Sequence, residues 1–187
     1  VTAMPPAPVP VDPPTVVLID GRSGSGKTEF AQALVSLWPE AQLVRLDDIY
    51  PGWDGLQAAS DIVHERILTD FSWVRWDWAS SRYAETHLLD RTRPIVIEGC
   101  GALSVANRAL AASALWVELD PATRRRRALE RDGAMYAPHW DRWAAQEDAF
   151  YTRENSRSLA DAEIDGADVA AAAARWRNAI TAASMGE

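Results

Sequence analysis

Cysteine is nearly absent. Cys100 is the only one in 187 residues, which excludes an internal disulfide and any cysteine-built metal cage, and suits a reducing cytoplasm. Histidine is scarce as well: His64, His87 and His139 lie too far apart in sequence to suggest a metal site. Long hydrophobic runs are missing, and nothing approaches the roughly 18 apolar residues that a membrane-spanning helix requires, so no membrane partner is expected. Positive charge is in deficit, with 19 Lys and Arg against 27 Asp and Glu and a net charge of −8. The one basic run, Arg124 to Arg127, is local, so nucleic acid is not expected as a partner either. The segment 1–14 is rich in proline and carries no basic residue. It lacks the charged start and apolar stretch of a secretory signal and reads as a flexible arm ahead of one domain, 15–187, large enough to bury its own core.

What is present is an alternation of strand and helix signals. Thr15 to Asp20 is a short, β-branched, nearly all-apolar run, as expected of a parallel strand covered on both faces. Gly21 to Gly26 breaks it, and Thr28 to Trp38 follows with Phe30, Ala31, Leu34 and Leu37 at helical spacing until Pro39 stops it. Ala41 to Leu46 reads as a second strand ending in Asp47-Asp48, followed by a loop to Gly55 and a helix from about Leu56 to Thr69. Pro94 to Glu98 and Ala114 to Leu119 are further buried strands, the second leading through Asp120-Pro121 into an arginine-rich helix. Helices are expected over Tyr136 to Arg153 and Ala167 to Ala183, while Phe71 to Asp90 shows no clean period. The order predicts an α/β, three-layer architecture with a central parallel sheet flanked by helices, whose ligands gather at the carboxyl ends of the strands.

Gly21-Arg-Ser-Gly-Ser-Gly-Lys-Thr28 fits G-x-x-x-x-G-K-[ST], between a predicted strand and a predicted helix. Gly21, Gly24 and Gly26 let the backbone turn tightly and bring N–H groups against phosphate oxygens, and the helix N-terminus adds partial positive charge. Lys27 reaches the β- and γ-phosphates as a point charge and the Thr28 hydroxyl ligates magnesium. Ser23 and Ser25 fill variable positions of the loop, either as further phosphate contacts or as solvent-facing loop residues. ATP as co-substrate and Mg2+ are therefore the expected cofactors.

The loop alone does not separate kinases from other nucleotidases. A small GTPase would need D-x-x-G and N-K-x-D, and neither string occurs. Phosphoryl transfer to a hydroxyl needs a carboxylate near the acceptor and cations on the transferring group. Asp47 and Asp48 end the second strand on the same sheet edge as the phosphate loop, and either can take the proton. Glu98 ends its strand at the same rim, where it can hold the metal's water shell. Spacing of three to four places Arg124, Arg127 and Arg131 on one helix face, and arginine's planar fork suits phosphate oxygens. Trp76-Asp77-Trp78 offers an acid framed by aromatics, suited to sugar hydroxyls and a planar ring. Cys100 reads as a small buried residue after a strand.

The loop together with Leu46-Asp-Asp-Ile-Tyr50, Ile97-Glu-Gly99, and Asp120 followed by Arg124, Arg127 and Arg131-Asp132 resembles the uridine kinase group of P-loop nucleoside and nucleotide kinases. The resemblance spans about residues 15 to 132. It implies Asp47 as catalytic base, Tyr50 in the acceptor pocket, Glu98 at the magnesium site, and Arg124, Arg127 and Arg131 on a mobile lid, about 121–150, over the ATP phosphates. Two regions depart from the family. The stretch between Gly52 and Arg93 does not match its base-recognition residues, and Trp140 and Trp143 stand where further lid arginines are expected. The sequence thus predicts a phosphotransferase acting on a small acceptor, a nucleoside or a nucleotide. A nucleotide-binding switch without such an acceptor is the alternative. Arg75, Arg82, Arg91 and Arg93 are the arginines available to an acceptor phosphate.

Overall fold

A computed structural model describes residues 13–184, with side chains to residue 179; the segment expected to form an arm lies outside the described residues up to residue 12. β1 (Val16–Asp20) is buried along its whole length because it is the middle strand of a five-stranded parallel sheet. α1 (Lys27–Ser36) follows the glycine loop, and β2 (Gln42–Arg45) leads into a tight 3-10 turn over Leu46–Asp48. α2 (Leu56–Ile62) runs through a π-helical turn, Val63–Ile67, into α3 (Leu68–Asp70). A hairpin comes next, β3 (Ser72–Asp77) with β4 (Arg82–Leu88). The sheet resumes with β5 (Ile95–Glu98), α4 (Val105–Arg108) and β6 (Ser113–Glu118). α5 (Pro121–Tyr136), α6 (Trp140–Glu154), α7 (Ser156–Leu159), β7 (Ala162–Asp165) and α8 (Val169–Ser184) complete it. No helix among the described residues is long and apolar enough to cross a membrane.

The strand order is β2-β5-β1-β6-β7, with every pairing parallel. Because side chains alternate along a strand, β1 feeds two cores. Val16 and Leu18 pack with Leu46, Ile49, Leu56 and Phe150 on one face; Val17 and Ile19 pack with Phe30, Leu34 and Ala173 on the other. The result is the three-layer α/β arrangement that the alternation of elements predicts.

Two regions differ from the sequence reading. β7 adds a fifth strand at the sheet edge; of Ala-Glu-Ile-Asp only Ile164 is buried, so no apolar run marks it. The stretch without a clean period forms the β3–β4 hairpin. Its register shifts between Val74 and Trp76, and that irregularity breaks the twofold alternation by which strands are recognised.

The loop after β1 is held by a buried charge. Asp20 is fully buried, and its carboxylate accepts from the N–H groups of Gly21 (2.6 Å), Gly101 (3.3 Å) and Leu103 (2.8 Å) and from the Tyr151 hydroxyl (2.7 Å). These donors come from the phosphate loop, the segment after β5, and α6. Burial nonetheless outweighs them and pushes the Asp20 pKa up from 3.8 to about 6.

Two measurements test these assignments. Phe30→Ala, which empties the interface of α1 with the sheet, is expected to cost about 3–5 kcal/mol in denaturant unfolding. For Asp20, the raised folded pKa means that the folded state keeps a proton which the unfolded chain has already lost between about pH 4 and 6. Its favourable contribution is present at low pH and lost as pH rises through about 6. The stability difference between wild type and Asp20→Asn is therefore expected to shift against wild type by up to about 3 kcal/mol across that window and to be flat above it. A pH-independent difference would contradict this assignment.

Candidate active site

The loop Gly21–Gly26 curls over the carboxyl edge of β1. Gly24 has φ 77°, and a Cβ there would sit 2.1 Å from the Arg124 carbonyl oxygen, so only glycine lets the loop pass the start of α5. Gly26, at φ 101°, caps α1. The first helical bond runs from Phe30 N–H to the Gly26 oxygen at 2.9 Å, so the N–H groups of Lys27 and Thr28 precede it and remain directed at the loop's concavity. The Ser25 hydroxyl is buried without a hydrogen-bond partner.

Lys27, the chain's only lysine, is buried, and its ammonium donates to the Arg22 carbonyl at 3.2 Å. Burial opposes its charge, but Cys100 and the carboxylates of Glu98, Glu147 and Asp20 outweigh that cost and raise its pKa. Thr28 Oγ1 donates to Glu98 Oε1 at 3.2 Å. Glu98, 2% exposed, also accepts from Arg45 Nε at 3.3 Å, and Arg45 reaches Asp47 Oδ2 at 3.5 Å. Burial, reinforced by the Asp47 charge, pushes the Glu98 pKa up to about 7 against the pull of Lys27 and Arg45. A hydroxyl and a buried carboxylate in contact, beside a glycine cradle for phosphates, are a donor set that fits magnesium. That ion keeps most of its water and takes one or two carboxylates plus substrate phosphates. No cluster of three or more His, Cys, Asp or Glu suited to a metal occurs among the described residues, and a nucleotide-borne magnesium does not require one.

Two cavities meet at this loop. A groove of about 530 Å3 lies over Gly24 and Gly26 and is lined by Arg127, Arg131, Gly166, Ala167 and Val169. A second cavity of about 300 Å3 opens on the other side, walled by Tyr50, Trp53, Trp78, Tyr136 and Trp143, with Asp47, Glu98 and Asp132 also at its lining. Lys27, Thr28 and Arg131 line both. The aromatic wall is fixed: Tyr50 donates to the Cys100 carbonyl at 2.9 Å and meets the Trp143 ring edge-on at 4.7 Å, while Trp78 Nε1–H donates to the Asp47 carbonyl at 2.9 Å.

The structure brings together Ser23, Lys27, Thr28, Asp47, Tyr50, Glu98 and Arg131 at the second cavity, and Gly24, Gly26 and Arg127 at the groove. Asp48 follows Asp47 on the same turn but does not line the cavity. Asp77 is not brought to it either: its carboxylate accepts from Ala79 N–H and Ser80 Oγ and holds the hairpin turn. Arg124 is buried, donating to the Leu119 and Ser23 carbonyls at 3.1 and 3.3 Å, so it braces the loop instead of facing the groove. Arg127 donates to the Gly166 carbonyl at 2.9 Å.

Sequence reasoning missed Asp20, Arg45, Glu147 and Tyr151. Glu147, 2% exposed, accepts from Ser23 N–H at 2.8 Å and from the Cys100 thiol at 3.2 Å, and Arg22 lies 3.6 Å away. Cys100 is accordingly a buried donor, its pKa pushed up to about 12 mainly by burial. One signal was available: Trp143, Glu147 and Tyr151 recur every four residues and so share a helix face.

No family model and no curated protein matches the chain. Solved structures do. A possible uridine kinase from Bacillus stearothermophilus superposes with a TM-score of 0.57 at 18% identity, over 84% of this chain and 91% of that one. Shikimate kinase from Acinetobacter baumannii, in complex with shikimate, gives 0.54 at 16% identity over 94% and 97%. Shikimate kinase from Bacteroides thetaiotaomicron gives 0.56 at 13% identity over 89% and 98%. With the glycine loop at the edge of a central parallel sheet flanked by helices, the chain shares its fold with these structures.

Proposed function

We propose that the chain is an ATP- and magnesium-dependent kinase that phosphorylates a hydroxyl of a small acceptor. The observation that carries this reading is the pair of cavities meeting at Lys27, Thr28 and Arg131, with Asp47 lining the aromatic cavity and not the nucleotide groove. A hydrolytic switch needs the groove but has no use for a walled cavity beyond the terminal phosphate. The similar structures include a possible uridine kinase and shikimate kinases, which supports the same reading.

In this scheme the groove takes ATP, with its phosphates on the loop N–H groups and its base against the wall that Arg127 and the turn at Gly166–Val169 form together. Thr28 and Glu98 would hold magnesium, which would supply positive charge against the phosphates during transfer. The acceptor lies in the aromatic cavity with its hydroxyl toward Asp47. The hydroxyl oxygen forms a bond to the γ-phosphorus as the bond to the β–γ bridging oxygen breaks; the proton passes to Asp47 and ADP leaves. Lys27 and Arg131 stabilise the charge on the transferring group, and α5 acts as the lid that excludes water. Asp47 is the proposed base in preference to Asp48, which is absent from the lining.

The acceptor carries no phosphate of its own on this reading. Arg75, Arg82, Arg91 and Arg93 are all absent from the lining, and Arg75 is engaged by Glu85 at 2.6 Å. That favours a nucleoside-sized alcohol over a nucleotide.

Acceptor-dependent ADP release by the purified chain is the test, and no release with any alcohol would end the kinase reading. Asp47→Asn is expected to lower kcat about 100-fold or more while ATP affinity stays within twofold, because a general base contributes to the rate and not to nucleotide binding. Equal loss of ATP binding would place Asp47 in a structural part instead. Chelation of magnesium is expected to abolish turnover.

A further inference from the structure

The aromatic cavity has two unlike ends. Its polar groups are tied to the phosphate-binding side by contacts within the protein. Glu98 accepts from Thr28 at 3.2 Å, Asp132 accepts from Arg131 at 2.7 Å, the Cys100 thiol donates to the Gly21 carbonyl at 3.4 Å, and the Tyr136 hydroxyl shares a hydrogen bond with Ser23. The carboxylates there are compensated: Arg45 pairs with Glu98 at 3.3 Å and with Asp47 at 3.5 Å, and Arg131 pairs with Asp132. The other end is made of rings. Trp53 lies 5.0 Å from Trp78 and 6.4 Å from Trp143, Tyr50 meets Trp143 at 4.7 Å, and Met135 completes the lining. Two carbonyl oxygens beside these rings are already used, that of Cys100 by the Tyr50 hydroxyl and that of Asp47 by Trp78 Nε1–H, each at 2.9 Å. Trp53 is held in place by stacking with His139 at 4.4 Å and Tyr136 at 5.3 Å.

We propose that the acceptor is a neutral alcohol that sets its hydroxyl at the polar end of this cavity and an apolar ring at the other, and that the ring end discriminates against a nucleobase. The inference rests on the acceptor reading given above. An apolar ring gains from leaving water and from edge and face contacts with the surrounding indoles. A nucleobase of similar size brings ring N–H and carbonyl groups that lose water on entering. The indole N–H groups of Trp53 and Trp143 can only donate, and the carbonyls of Cys100 and Asp47 are taken. A base N–H at this end is therefore buried without an acceptor, which weakens binding roughly tenfold or more. At about 300 Å3 the cavity is at the small end for ligand sites, which suits one ring on a short arm.

Uridine and its phenyl C-riboside counterpart, in which a benzene ring replaces uracil on the same sugar, isolate the ring chemistry. Calorimetric titration, with magnesium and a non-hydrolysable ATP analogue present, is expected to give a dissociation constant at least about tenfold lower for the phenyl compound. Its binding is expected to show the negative heat-capacity change of apolar burial. Trp53→Ala is expected to weaken the phenyl compound about tenfold and uridine less than threefold, with affinity for the ATP analogue kept as the check on folding. Should that variant not fold, the comparison on the wild-type protein decides. Equal or tighter binding of uridine, absence of binding by the phenyl compound, or an equal loss for both ligands in Trp53→Ala would each overturn the proposal. ADP release with the same compounds is read separately. Selective binding of the phenyl compound without ADP release from any alcohol would refute the kinase reading and leave the ring selectivity standing. Faster ADP release with uridine than with the phenyl compound, at equal subsaturating concentrations, would do the reverse.

Discussion

A carboxylate without access to water organises this molecule. Asp20 closes the central strand where a parallel sheet supplies no further hydrogen-bond partners, and its charge is stabilised only if several donors converge on it. They come from three places in the chain: the phosphate loop at Gly21, the segment after β5 at Gly101 and Leu103, and α6 through Tyr151. Each donor fixes a segment that borders the site. The loop is held from below by Asp20 and from above by Arg124, which binds the Ser23 carbonyl. The backbone of the loop is thus held by contacts within the protein, which is the condition for electrostatic preorganisation.

The same network carries the lysine. Lys27 is buried, which disfavours its charge, but Glu98, Glu147 and Asp20 surround it. Three carboxylates thus stand around the one ammonium group. α6 extends the arrangement across the site. Trp143 lines the aromatic cavity, Glu147 one turn later accepts from the phosphate loop, and Tyr151 one turn after that reaches Asp20. A single helix face thereby joins the aromatic cavity to the loop.

Legibility in the sequence followed how local each signal is. Four of the five sheet strands, the phosphate loop and the helices that flank them were readable because each leaves a mark within about ten residues: an apolar run, a glycine string, a fourfold spacing. β7 left none, since an edge strand buries only Ile164. The hairpin was hidden by its irregular register between Val74 and Trp76. Among site residues, Lys27, Thr28, Asp47 and Glu98 follow from motif and strand end. Asp77 does not join them because its carboxylate is used by its own turn, an interaction that competes locally with ligand binding. Asp20 and Glu147 were unreadable for another reason. Each meets partners far off in sequence, Asp20 with Leu103 and Glu147 with Ser23, and a lone acid at a strand end or on a helix does not reveal what it will meet in space.

The arginine helix shows how a periodic signal can be correct and still insufficient. Spacing puts Arg124, Arg127 and Arg131 on one face, yet α5 rises away from the loop, so the three side chains meet different surroundings. Arg124 is buried in backbone carbonyls, Arg127 reaches the turn after β7, and Arg131 extends to where both cavities open. Beyond Arg131 the helix is interrupted at Gly133, whose φ of 51° and ψ of −129° are non-helical. A Cβ at Gly133 would meet nothing within 4 Å, so glycine is needed there for its backbone freedom and not for space. The break redirects the chain so that Met135 and Tyr136 join the aromatic wall. On an unbroken helix the residues after Arg131 would continue along the axis set by Arg124 and Arg127. The interruption makes one helix border the groove with its middle turns, from Arg127 to Arg131, and the aromatic cavity with its end, with Arg131 at the junction.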